Sequence, residues 1–248
     1  MIEITDTAVF GFDAAIRGMR NPMDSWALSD SFLCNGEQTP DCDGCSACYV
    51  SMCSGEISCA LVDSIGFDKY EDWHFALGET DVQLCKKLIK AGTDHRKFLR
   101  MIHVQMDVKA PLYWWKEFET YKVGTVSNSC STMHKIHAKE FTIEDFSVEH
   151  LTEGNRQGFE EQVVKALNTA RTNYLETKDK KWWWNMIQML PSSYNQLRTL
   201  DLNYEVLLNM YHARKNHKLD EWRDFCKWIE KLPYMKGFLE VDDGRKDA

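Results

Sequence analysis

Three groups of residues in this chain have types and spacings that could do chemistry. The first is Cys42-x2-Cys45-x2-Cys48-x4-Cys53. Thiolates are soft ligands, and such short spacings let one loop wrap a tetrahedral ion, zinc by default, with Cys34 or Cys59 as substitute ligands. The Cys-x2-Cys-x2-Cys run also suits an iron–sulfur cluster, although no Cys-Pro follows at the usual spacing. The bland alternative is a loop of reduced thiols holding no metal. The second group lies in the polar run from Val123 to His134, which holds one glycine, five Ser/Thr, Asn128 and Cys130, with Lys122 just before it. Lys122 can neutralise a phosphate as a point charge. Asn128, with Ser127 and Ser129, can bind a pyrimidine edge or a phosphate, or satisfy the loop's own backbone. Cys130 reads as a pocket thiol. Use as a nucleophile would need a neighbouring base or cation, for which His134, His137 and Lys122 are the nearby sources. The third group is Asn203, His212 and Arg214, read on one helix.

The elements that must position these residues follow from periodicity. Ile102, Val104, Met106 and Val108 alternate with His103, Gln105, Asp107 and Lys109, a two-residue period that predicts a strand over 101–109 with one buried face. Ala110-Pro111 breaks the pattern, and proline suits the first position of a helix. Leu112, Trp115 and Phe118 then recur at helical spacing. Upstream, Ala8 to Phe12 and the residues after it predict a strand leading into a helix that Asn21-Pro22 ends. Thr80 or Asp81 is placed to cap a helix through Ala91, with Gly92 at its end. Downstream, Thr142 and Asp145 form a capping-box variant. Residues 155–178 read as one helix, Trp182-Trp183-Trp184 open a second that ends at Leu190-Pro191, and a third runs from about Ser193 to Arg214. Asp220 caps a last helix with Trp222, Phe225, Trp228 and Ile229 inward. The fold class expected is α+β, with a central strand and a mostly helical C-terminal half.

Composition sets the outer bounds. The 248 residues are 44% hydrophobic and 27% charged, and 30 Lys+Arg against 38 Asp+Glu leave a net charge of −8. That balance, with no long basic run, disfavours general nucleic-acid binding, while a nucleotide ligand needs only a few local cations. No apolar stretch approaches the ~20 residues of a membrane span, and the N-terminus lacks a signal-peptide pattern. The expected compartment is the cytoplasm, where nine cysteines are not structural disulfides. Residues 1–240 read as one domain with a Cys-rich insertion at about 31–70, and 241–248 as a disordered tail. Three adjacent tryptophans cannot share one helix face, so at least one is exposed or covered by a partner subunit.

The run from the strand through Cys130 resembles the signature region of the flavin-dependent thymidylate synthases. That family has a strand, Ala-Pro, an apolar-aromatic helix, Arg-His-Arg, seven residues and Ser. Here Ala110-Pro111 matches in register, the Arg-His-Arg position reads Thr120-Tyr121-Lys122, and the Ser position reads Cys130. A second block from Leu190-Pro191 to about Phe225 is similar to the family's C-terminal helices, with Tyr194, Asn203 and Arg214 in matching places. The resemblance covers roughly residues 80–230 and implies the family's fold. It implies a homotetramer with sites between chains, and an enzyme that moves a one-carbon unit from methylenetetrahydrofolate to C5 of a deoxyuridine nucleotide. Reduced FAD would supply the hydride and NADPH would reduce the flavin. It places Tyr121, Lys122, Asn128, Asn203 and Arg214 at the cofactor and Cys130 near the substrate. Arginines of the family are replaced by Thr120, Thr132 and Glu205. The departures leave two expectations: a divergent enzyme acting on a related pyrimidine, or a fold-retaining nucleotide- or protein-binding protein without the activity.

Overall fold

The two-residue period is realised as a strand, β5, spanning His103–Pro111. Val104, Met106 and Val108 are buried, while Gln105 is exposed and His103, Asp107 and Lys109 are half-buried. The computed structural model describes residues 1–34, 65–66 and 74–241. The Cys42, Cys45, Cys48 and Cys53 set lies outside them, as do residues 242–248.

β5 is the middle strand of a five-stranded sheet. Its other members are β1 (Glu3–Phe10), β3 (Ile65–Gly66), β6 (Thr125–Ser129) and β7 (Asn195–Asn203), in the order β3-β1-β5-β7-β6. β1 and β3 run parallel, with Thr7 opposite Ile65. A separate antiparallel pair joins β2 (Phe32–Cys34) to β4 (His74–Ala76), with Phe32 opposite Ala76. The mixture of helix and sheet is the expected α+β class.

Two compact units partition the chain, and β5, β6 and β7 each contribute residues to both. The first unit holds residues 1–3, 108–120 and 127–199. In it, α3 (Leu112–Phe118) follows Pro111, which sits one residue ahead of the helix in an extended conformation. Trp114, Trp115 and Phe118 pack on one another with centroids 4.8–5.3 Å apart. The predicted capping box at Thr142 and Asp145 is present and opens a single short turn. The helix expected over 155–178 is continuous but changes pitch. It runs as α4 (Glu153–Phe159), a π-helical turn (Glu160–Val164) and α5 (Lys165–Thr177). Lys178 ends it in a left-handed conformation, and Asp179 caps α6 (Lys180–Met189) by accepting from the Lys181 N–H at 3.0 Å. Val164, Leu167, Ala170 and Met186 share a core with Ile136, Phe141, Ile143, Phe146 and Val148. Of the three tryptophans, Trp184 is 44% exposed.

The second unit holds residues 4–107, 121–126 and 200–248. In it, β1 turns into α1 (Phe12–Arg20) through Gly11 at φ +96°, where a Cβ would lie 2.2 Å from the Met101 carbonyl oxygen, so glycine is required. α2 (Glu79–Lys90) has Gly78, rather than Thr80 or Asp81, at its N-cap position. Its first N–H groups are capped by Asp30, which accepts from Thr80 at 2.8 Å and Asp81 at 3.1 Å. Asp81 is instead fully buried against Arg20 at 2.6 Å, and also accepts from the Ser29 and Ser31 hydroxyls at 2.6 Å. Arg20 completes its fork on the carbonyls of Ser25 and Leu28.

The expected helix from Ser193 to Arg214 is half wrong. Residues 195–203 form β7, and only Tyr204–Arg214 is helical, as α7. Gln196, Leu200 and Leu202 face inward, alternating with Leu197, Thr199 and Asp201. That period of two prevails over the helical spacing of the same apolar residues because the sheet buries the inward set. α8 (Asp220–Ile229) buries Trp222, Phe225 and Ile229, with Trp228 less covered, and α9 (Met235–Leu239) follows. No described helix is long and apolar enough to cross a membrane.

Removing one partner of a buried ion pair strands the other charge. We expect Asp81→Ala to lower unfolding free energy by about 3–5 kcal/mol, since Arg20 would be left buried and unpaired. Urea denaturation measures this, and a loss below about 1 kcal/mol would contradict the anchoring role given to the pair.

Candidate functional site

Tyr121, Lys122, Asn203 and Arg214 all fall in the second unit. α3 ends at Phe118, and the chain then passes through 121–124 before β6. Tyr121 reaches α7, where the Arg214 Nε donates to its hydroxyl at 2.9 Å. The guanidinium carbon lies 4.9 Å from the Trp222 ring centroid and 5.6 Å from that of Tyr121, and the two rings themselves meet at 6.0 Å, so the cation rests against a touching aromatic pair. Arg214 is thereby pre-organised rather than mobile. Lys122 is exposed.

Asn203 is not within a helical apolar stripe. It is the N-cap of α7, its Oδ1 accepting from the Val206 N–H at 3.1 Å. Gly124, at φ +72°, abuts it: a Cβ there would lie 2.7 Å from Asn203 Nδ2. The loop carrying Tyr121 and Lys122 is therefore packed on the start of α7, and only glycine permits the approach. His212 and Arg214 lie in the last turn of α7.

Glu205, one residue into α7, is 5% exposed. Arg96 Nε donates to its Oε1 at 3.2 Å and Arg100 Nε bonds its other oxygen. Arg96 also donates to Asn209 Oδ1 at 3.2 Å. A buried carboxylate at a helix N-terminus, held by two guanidinium groups, is doubly compensated. Neither arginine stood out in the sequence, because both pair with a residue more than a hundred positions away.

Asn128 and Cys130 belong to the first unit. Asn128 is on β6 and exposed, as are Ser127 and Ser129. Cys130 is exposed, and its backbone is tied twice to β7. Its N–H donates to the Leu197 carbonyl at 2.9 Å, and its carbonyl accepts from Gln196 Nε2 at 2.7 Å. Gln196 in turn accepts from Arg198 Nε at 3.0 Å, and Arg198 lies 4.3 Å over the Trp115 ring and pairs with Glu119 at 2.8 Å. Local sequence carries no sign of these supports, because they depend on 195–203 being a strand. His134 is exposed, while the ring of His137 packs edge-on against Tyr174 at 4.9 Å. Among the described residues no three His, Cys, Asp or Glu side chains gather as a metal site.

No family model matches the sequence, and no curated protein matches it. Solved structures do match in fold. A flavin-dependent thymidylate synthase from Helicobacter pylori complexed with FAD and dUMP is 17% identical, with a TM-score of 0.60 over 98% of this chain and 100% of that one. A second structure of such an enzyme from Helicobacter pylori, with FAD and dUMP, is 16% identical, with a TM-score of 0.61 over 99% and 100%. A UMP/dUMP methylase from Streptomyces cacaoi bound with 5-bromo-dUMP is 11% identical, with a TM-score of 0.54 over 98% and 94%. At these identities the likeness is one of fold, and the fold is that of the flavin-dependent thymidylate synthases.

Proposed function

We propose that this chain is a divergent pyrimidine-nucleotide methyltransferase of the flavin-dependent thymidylate synthase kind. It would transfer a one-carbon unit from methylenetetrahydrofolate to C5 of a deoxyuridine nucleotide or related pyrimidine, with FAD and NADPH as redox partners. The observation that carries this reading is the full-length likeness of fold to enzymes whose structures hold FAD and dUMP. The residues of the second unit fit a flavin nucleotide chemically. Lys122 offers an exposed cation to a diphosphate, and Arg214, held against the Tyr121 and Trp222 rings, adds an oriented one. Asn203 would act from the cap of α7. When bound, FAD supplies the hydride, and the protein's part is to orient and to exclude water. Asn128 is assigned to hydrogen bonding with ligand and Cys130 to a ligand-accessible thiol. As in the family, the working form would be a homotetramer.

One observation favours a second reading, a nucleotide- or protein-binding protein that keeps the fold without the reaction. At the family's phosphate-arginine position stands Glu205, and its carboxylate is committed to Arg96 and Arg100. A site lacking that cation would hold a nucleotide dianion poorly. The zinc or iron–sulfur reading of Cys42, Cys45, Cys48 and Cys53 remains a proposal of its own. Metal analysis of chain purified without chelator decides it.

Titration by flavin fluorescence separates the two functional readings. Lys122→Ala should weaken FAD binding by about 1–3 kcal/mol through loss of a charge-assisted bond. A parent chain that takes up no FAD would replace the enzyme with the binder. Burial pushes the Cys226 thiol up to about 12 and Cys85 higher still. At neutral pH an alkylating reagent should therefore label Cys130 well ahead of these two, as read by peptide mass mapping. Equal labelling of the three would contradict the accessible thiol.

A further inference from the structure

The outward face of β5 and β7 brings together side chains that the flavin reading does not use. His103 Nδ1 lies 2.9 Å from Asp201 Oδ1. Gln105 Nε2 donates to Asp201 Oδ2 at 3.1 Å. The Phe10 ring stacks on the imidazole, with centroids 5.7 Å apart and planes 12° from parallel. The His103 and Asp201 side chains are 41% and 31% exposed.

Both oxygens of Asp201 are engaged, so the carboxylate is fixed in direction. An acceptor-only carboxylate at Nδ1 favours, for an uncharged imidazole, the tautomer with its proton on Nδ1 and a lone pair on Nε2. The bland alternative is a surface pair worth about 0–1 kcal/mol. Such a pair needs neither an amide to hold the far carboxylate oxygen nor an aromatic ring to fix the imidazole plane. The position also matters. Asp201 precedes Asn203 by two residues on the same face of β7, about 7 Å along the strand. Asn203 in turn abuts Gly124 in the loop that carries Tyr121 and Lys122.

We propose that His103, oriented by Asp201, is the proton acceptor for the hydrogen at C5 of a pyrimidine nucleotide; the inference rests on the function proposed above. A one-carbon unit and a hydride make a methyl group at C5 only if the hydrogen already there leaves as a proton. The ring's own electron pair forms the new carbon–carbon bond. The C5–H bond then breaks, its pair restores the C5–C6 double bond, and the proton goes to His103 Nε2. The methylene carbon gives up one folate C–N bond as the carbon–carbon bond forms, and the second would break as the flavin's hydride arrives, both electron pairs staying on nitrogen, so tetrahydrofolate leaves. His103 is the catalytic residue in this step, and Asp201 is a positioning residue that acts through it, with Gln105 and Phe10 holding the pair.

Two readouts test this. In the flavin-free chain, nitrogen NMR of the imidazole should show His103 protonated at Nδ1 and bare at Nε2. Deoxyuridine monophosphate alone, at millimolar concentration, should move the Nε2 signal. A proton on Nε2, or a signal that the nucleotide leaves in place, overturns the proposal. With FAD, methylenetetrahydrofolate and NADPH present, the parent should release tritium from nucleotide labelled at C5. His103→Ala should slow that release by about 100-fold or more, the usual range for a lost general base, with FAD affinity unchanged. Added imidazole should restore part of the rate. His103→Gln, similar in size, should be equally slow yet melt like the parent, which separates loss of the base from loss of the fold. Release by both variants within threefold of the parent removes His103 from the step and leaves the proposed function standing. A parent that releases no tritium removes both.

Discussion

The two-sidedness of β5 and β7 is the constraint on which the rest depends. Side chains alternate faces along a strand, so burying Val104, Met106, Val108, Leu200 and Leu202 forces His103, Gln105 and Asp201 to the other side. A slip of one residue would exchange the two sets and place a histidine and an aspartate in the core, which fixes the register firmly. The polar face is thus a geometric consequence of the core. The same alternation carries Asn203 to the end of β7, where it caps α7, and Tyr204 locks the junction by donating its N–H to the Ile102 carbonyl at 3.0 Å.

Among the described residues of the second unit, two buried carboxylates, Asp81 and Glu205, are each held by arginine. Arg20 and Asp81 join the end of α1 to the start of α2, and the Ser29 and Ser31 hydroxyls satisfy the remaining carboxylate oxygen. Arg96 and Arg100 converge on Glu205. Buried pairs of this kind are poor sources of net stability but are costly to break, so they favour one arrangement of helices over others. Glu205 links fold to function. The carboxylate that anchors α7 stands where the resembled family has a cation for phosphate, so fixing the helix and gripping a dianion are in conflict at that position.

Much of this was legible in the residues. β5, the helix after Pro111, the capping box at Thr142 and the helical pair on either side of Lys178 all follow from local period and cap chemistry. Two stretches differ in element type from the expectation: 125–129, expected within a polar loop, forms β6, and 195–203, expected as helix, forms β7. Leu200, Leu207 and Tyr211 fit a helical stripe, while Leu200 and Leu202 also fit a strand, and only the sheet decides between them. Asp81 shows a different limit. As a helix cap it would have been a local device, but its partner Arg20 is 61 residues away. The His103–Asp201 pair spans 98 residues and carries no local signature. Tyr121, Asn203 and Arg214 were legible only through the family pattern, and what that pattern left unseen was Trp222 stacked on the arginine.

In the proposed function, ligand is held by the loop at 121–124 together with residues 200–203 and the start of α7. Hydrogen–deuterium exchange with and without saturating FAD tests it most directly, because it reports where the backbone becomes protected without depending on turnover. With FAD held as proposed, protection is concentrated in peptides covering 121–126 and 200–215. Protection confined to other segments, or an exchange pattern that FAD does not change, would contradict it.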